Sequence, residues 1–172
     1  KMIAKKYKLF PIVESIRDYM KKKKIDWKQL RNEKIKYMQW QWAILTNQIV
    51  KEKQIKDDYV TDRTPLDYCS FTLLELSKNQ TKSRIDNYTE ICHEYFDKYD
   101  LVFVLTKNNF ELIENRVEEL DDNIRDTDYN YQRIWELILF GLLKEKQNVY
   151  YLTGKTYNDR FLNACDIIDK YI

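Results

Sequence analysis

Apolar positions along the chain fall into two patterns. Ile35, Met38, Trp42, Leu45 and Ile49 recur at helical spacing and predict one side of a long helix over about residues 27–54. Ile134, Leu137, Ile138, Gly141 and Leu142 form a second stripe, and Phe161, Cys165 and Ile168 a third near the end of the chain. Each stripe reads as a core-facing surface. Between the helical stretches lie short continuous apolar runs at residues 9–13, 59–61, 101–106 and 149–153, rich in β-branched and aromatic side chains. Runs without polar alternation are the mark of buried parallel strands. Strands alternating with helices predict βαβ units in a layered α/β domain, its parallel sheet covered by helices on both faces.

Composition narrows this picture. Glycine and proline occur twice each, too few turn residues for a β-sandwich or barrel. The chain shows no repeat, linker or low-complexity stretch, and its 172 residues suffice to bury the core of one domain without a disulfide or metal staple. With 44% hydrophobic and 34% charged residues, disorder is excluded. The longest apolar runs are far too short to span a bilayer, so no membrane partner is expected. The chain opens on Lys1 rather than methionine, and a preceding segment is expected.

A net charge of +2 gives no strong field toward polyanions. The one basic block, residues 21–24, reads either as a solvated helix end, where cations complement the dipole, or as a polyanion patch. Nucleic acid is not expected as a partner. Cys69, Cys92 and Cys165 are scattered, odd in number and without metal-ligand spacing, which points to a reducing, cytoplasmic setting. His93 is the only histidine, so neither a zinc site nor a histidine-assisted nucleophile is expected, and His93 itself reads as structural. The tyrosines, 14 in number, suit a core or an interface equally, which leaves a homodimer open.

In parallel α/β sheets, ligands bind beyond the C-terminal ends of the strands. At the first such end Glu14 follows the apolar run, with Arg17 one helical turn later. At the second, Asp62 and Arg63 follow directly, Pro65 suits the first turn of a helix, and Asp67 favours the same positive helix end. A strand-end carboxylate can hold magnesium through water or accept a proton, and an adjacent arginine offers a fork for phosphate. Equally, Asp62 and Arg63 can cap a helix and pair on the surface. Arg116, Arg125 and Arg133 flank an acidic stretch at 118–128, and serve either as a flap over phosphates or as ordinary ion pairs. Thr127 can cap the helix that follows. Gln39 and Trp40 can face a base, through an amide edge and a stacking ring, or simply pack.

In this order the pieces resemble the P-loop nucleoside and nucleotide kinases, in particular the AAA-type ATP-binding group with thymidylate kinase-like and nicotinamide riboside kinase-like members. The stretch 61–67, Thr-Asp-Arg-Thr-Pro-Leu-Asp, looks like the family's aspartate-arginine motif, and 13–17, Val-Glu-Ser-Ile-Arg, like its earlier glutamate and arginine. Residues 100–106 look like the fourth strand, 123–128 like the arginine-bearing lid, and 149–160 like the last strand, its Thr-Gly turn and the final helix. The family's Gly-rich loop ending in Lys-Ser or Lys-Thr is not in the chain. Residues 1–8 look like the end of the helix that follows that loop, which places the first strand and the loop upstream.

The resemblance implies a three-layer P-loop kinase-like domain over 1–172, with a lid at 107–133. It implies an ATP- and magnesium-dependent kinase acting on a nucleoside or nucleoside monophosphate. Asp62 is then the magnesium-side or phosphate-side carboxylate, and Arg63 a clamp on the acceptor phosphate. Glu14 is the base or acceptor-positioning group supported by Arg17, Asp67 belongs to the substrate side, Arg116 and Arg125 are lid arginines, and Gln39 and Trp40 are base-pocket candidates. The other reading is an inactive kinase-like fold that serves as a nucleotide-binding or protein-binding regulatory subunit.

Overall fold

A computed structural model describes residues 1–13, 20, 24–76, 82–105 and 129–172. In chain order the elements are α1 (Met2–Tyr7), β1 (Phe10–Ile12), α2 (Trp27–Asn32), α3 (Lys34–Gln54), β2 (Tyr59–Thr61), α4 (Pro65–Leu76), α5 (Lys82–Phe96), β3 (Val102–Leu105), α6 (Tyr129–Leu143), β4 (Val149–Leu152) and α7 (Tyr157–Tyr171). The protein is α/β and mostly helical, and each apolar run expected to be a strand contains one.

Strands β1 and β2 pair in parallel with Phe10 opposite Tyr59 and Ile12 opposite Thr61. Strands β3 and β4 pair in parallel from Val102–Val149 to Leu105–Leu152. Among the described residues no ladder joins the two pairs. The strands are less enclosed than their apolar runs predict: Phe10, Leu105 and Tyr151 are exposed, whereas Ile12, Val102, Val104 and Leu152 are buried. Burial therefore falls mainly on one face, and the core is built chiefly by helices.

Helix α4 occupies the centre. It buries Leu66, Tyr68, Cys69, Ser70, Thr72 and Leu76 around most of its circumference, as a core helix does. Its buried hydroxyls are satisfied within the helix: Ser70 donates to the Asp67 carbonyl at 2.7 Å and Thr72 to the Tyr68 carbonyl at 2.9 Å. Around α4 pack Tyr37, Met38 and Leu45 of α3, Tyr88, Cys92 and Phe96 of α5, and Leu139 and Leu143 of α6, joined by Val102 and Val104 of β3. Phe71 stacks on Trp135 at 5.0 Å between centroids, fixing α4 to α6.

The single helix expected over 27–54 is two helices, parted at Glu33, whose ψ of 76° leaves the helical range. Hydrogen bonding runs through the break, since the Glu33 N–H donates to Gln29 and Leu30 and its carbonyl accepts from Tyr37. The buried face of α3 is Tyr37, Met38, Gln41, Ile44, Leu45 and Gln48. Ile35, placed in the core by its spacing, is 65% exposed. The face is rotated because two glutamines are buried with partners: Gln41 Nε2 donates to the Tyr37 hydroxyl at 2.7 Å, and Gln48 reaches toward β2. Helix α6 departs further. Ile134 and Leu137 of the expected stripe are exposed, and Glu136, Leu139 and Leu143 are buried instead.

The third stripe holds, with Cys165 and Ile168 buried on α7. Thr156 and Asp159 form a reciprocal capping box at its start. Helix α1 is tied to α7 by Tyr7, whose hydroxyl donates to Asp169 at 2.6 Å. All three cysteines are free and buried, and His93 lies half-buried in α5. No helix among the described residues is long and apolar enough to cross a membrane.

Candidate functional site

Because β1 and β2 are parallel and in register, the chain leaves both on the same side, with Ile12 beside Thr61. On the β1 side, Glu14 and Arg17 lie outside the described residues, as do Arg116, Arg125, Thr127 and most of the lid region. On the β2 side the local structure is fully laid out. Pro65 is the first residue of α4, where its missing N–H costs nothing. The Asp67 carboxylate folds back over this turn. Its Oδ2 accepts from the Thr64 backbone N–H and from the Thr64 hydroxyl, both at 2.9 Å. Its Oδ1 accepts from Arg63 Nη1 at 3.1 Å. One carboxylate at a helix N-terminus thus closes the turn and orients the arginine. Asp62 stands exposed beside it.

Behind this turn lies a second polar layer that periodicity did not reveal. Gln48 Nε2 donates to the Thr61 hydroxyl oxygen at 2.8 Å, to the Arg63 carbonyl at 3.2 Å and to Glu52 Oε1 at 2.6 Å. The Thr61 hydroxyl donates to the same Arg63 carbonyl at 3.1 Å. Glu52 also accepts from the hydroxyls of Tyr99 at 2.6 Å and Tyr59 at 3.4 Å. Burial, reinforced by the Glu52 carboxylate, pushes the Tyr59 hydroxyl up to about 12, and Tyr99 is raised further by the same causes. Both phenols therefore remain donors at any physiological pH. The available signal was a glutamine beside Ile49 on the apolar side of α3.

Gln39 and Trp40 are not brought to this turn together. Gln39 is nine residues from Gln48, which at about 100° per residue puts it on the opposite side of α3. It is exposed and lines a groove with α5. Trp40 is about a quarter turn from Gln48 and half-buried, its ring 6.3 Å from that of Tyr37. Arg133 pairs with Glu136 within α6 at 2.7 Å, so this member of the arginine set has a structural partner.

Beyond β4, the turn Thr153-Gly154-Lys155-Thr156 leads into α7. Gly154 has φ +128°, and a Cβ there would stand 2.5 Å from that of Asp159. The Gly-Lys-Thr order matches the end of a phosphate loop, but Val149 stands where its first glycine belongs, and the Thr156 hydroxyl caps Asp159 N–H at 3.1 Å.

Chemically, the β2 turn offers an exposed carboxylate and a neighbouring, pre-oriented guanidinium on one strand end. Among the described residues there is no cluster of three potential metal ligands. Magnesium does not demand one, since it is usually bound through one or two carboxylates, waters and substrate phosphates. No protein-family model, curated protein or solved structure matches the chain.

Proposed function

We propose that the β1/β2 strand end is the acceptor side of an ATP-dependent phosphotransferase acting on a nucleoside or nucleoside monophosphate, within a three-layer P-loop kinase-like fold. The observation that carries the reading is the Asp62-Arg63 pair at the end of a parallel strand, with the Arg63 fork held by Asp67. Phosphoryl transfer requires positioning and charge neutralisation more than covalent chemistry, and these residue types supply both. Arg63, oriented by Asp67, is the clamp for an acceptor phosphate. Asp62 holds magnesium-bound water, or accepts the proton of an attacking hydroxyl. Magnesium bound there would neutralise charge on the nucleotide phosphates.

ATP-dependent phosphorylation, assayed with magnesium over a panel of nucleosides and monophosphates, tests the reading. Product from one acceptor is expected, and Asp62→Asn is expected to lower turnover roughly a hundredfold with the fold intact. Full turnover in Asp62→Asn would remove the role given to Asp62. A second reading rests on a specific observation: both Asp67 oxygens and one Arg63 nitrogen are already engaged in closing the α4 turn. This favours a kinase-like regulatory subunit that binds nucleotide or protein without turnover. Nucleotide binding by calorimetry without product from any acceptor would select it.

A further inference from the structure

The outer side of α3 meets α5 in a groove of about 320 Å³, lined by Ile35, Met38, Gln39 and Trp42 from one helix and Arg84 and Asn87 from the other. Met38 is buried and Trp42 is fixed by an edge-to-face contact with Tyr88 at 4.9 Å, so the floor is apolar and firm. Three polar side chains stand around it. Gln39, Arg84 and Asn87 are all exposed, and among the described residues none of them forms a hydrogen bond or ion pair. A firm apolar floor under a few unengaged polar groups is the usual build of a small-molecule site, and the volume lies in the usual range. Among the described residues of the lining Arg84 is the single charged group, so the field they set favours an anion. Two carboxamides add donors and acceptors suited to the edge of a heterocycle.

We infer that the α3/α5 groove binds a small planar aromatic or heteroaromatic molecule carrying an anionic group. The ring lies on Met38 and Trp42, Gln39 and Asn87 engage its edge, and Arg84 meets its charge. The groove is a second site, separate from the β2 turn. Gln39 and Gln48 lie on opposite sides of α3, so one ring cannot serve both places. The inference therefore does not depend on the phosphotransferase reading.

The test uses the full chain with two anionic rings, AMP and 8-anilinonaphthalene-1-sulfonate, and adenosine as the uncharged control. Binding is followed by titration calorimetry and by the Trp42 indole N–H resonance, assigned with Trp42→Phe. At least one anionic ring is expected to bind and shift that resonance, with adenosine weaker. Arg84→Gln, at an exposed position, is expected to weaken binding roughly tenfold without loss of fold. Arg63→Gln is expected to leave groove binding unchanged, which separates this outcome from failure of the β2 site. The inference is overturned if neither anionic ring gives Arg84-dependent binding at millimolar concentration. It is equally overturned if the Trp42 shift depends on Arg63 instead, or if neither anionic ring moves the Trp42 resonance.

Discussion

Helix α4 carries two carboxylates, each paired with an arginine, and the two settings differ in kind. Asp67 sits in the first turn, where the helix dipole favours a negative charge. Its partners come from within four residues, Thr64 twice and Arg63 once. Glu75 sits in the last turn, where the dipole opposes it. It is compensated from a distance, by Arg31 Nη2 at 2.6 Å and Lys34 Nζ at 3.3 Å, both from the α2/α3 segment. The Glu75 side chain is only 8% exposed. Arg31 also lies 4.3 Å from the centroid of the Tyr131 ring, so this cluster bolts α2 and α3 to α4 and α6. The first arrangement is a local turn with a charged edge facing water. The second is a tertiary lock. A charge at a helix start can be spared for ligand chemistry, whereas one that fights the dipole in the interior is committed to the fold.

The largest effect should come from breaking the lock. Glu75→Gln leaves two half-buried cations facing a neutral amide. Loss of a buried partner costs about 3–5 kcal/mol, and since Arg31 and Lys34 keep about a quarter of their exposure, the expected loss is about 2–3 kcal/mol. Thermal unfolding should drop by about 5–10 °C. A paired Arg31→Met, Glu75→Leu replacement should recover most of it, because Lys34 can turn its ammonium to water. Equal destabilisation by the single and paired variants would show that Glu75 contributes through shape rather than charge.

A smaller effect is expected at the other end of the helix. Asp67→Ala removes the closure of the turn and should cost about 1–2 kcal/mol in denaturant unfolding. Asp67→Asn retains an acceptor for the Thr64 N–H and should cost less. Under the proposed function both should weaken acceptor binding alike, since both release the Arg63 fork. Stability that tracks KM across the pair would instead make Asp67 purely structural.

The same contrast explains what could be read from the sequence. The Asp62–Asp67 turn was legible because each partner lies within a few residues and Pro65 marks the helix start. The strand positions were legible for a related reason: short β-branched and aromatic runs between helical stretches leave few alternatives. The lock at Glu75 was invisible, because its partners lie 44 and 41 residues away and nothing local marks them. Periodicity also misplaced the buried faces. In α6, apolar residues occupy every side between Ile134 and Leu143, so spacing alone could not choose Leu139 and Leu143 over Ile134 and Leu137. In α3, Gln48 is buried against Thr61 and Arg63, partners that only the fold supplies, while Gln41 pairs one turn back with Tyr37 on the same helix.

The smallest effect sharpens the comparison from a third place, where a titrating group sits beside a lock of another sort. His93 in α5 lies near the ion pair between Lys146 and Asp97. Burial and then the Lys146 charge hold its pKa below the usual histidine value, against a weaker upward pull from Asp97. The folded state therefore binds a proton less readily than the unfolded chain. Between the unfolded pKa, near 6.5, and the lower folded value, the unfolded state carries more protons, so stability rises with pH across that window and falls as pH drops through it. His93→Gln should flatten this dependence in denaturant unfolding between pH 7.5 and pH 5.5, while leaving stability at the upper end nearly unchanged. Because His93 is the only histidine in the chain, a slope that survives the substitution would show that the acid sensitivity of the fold does not originate at α5.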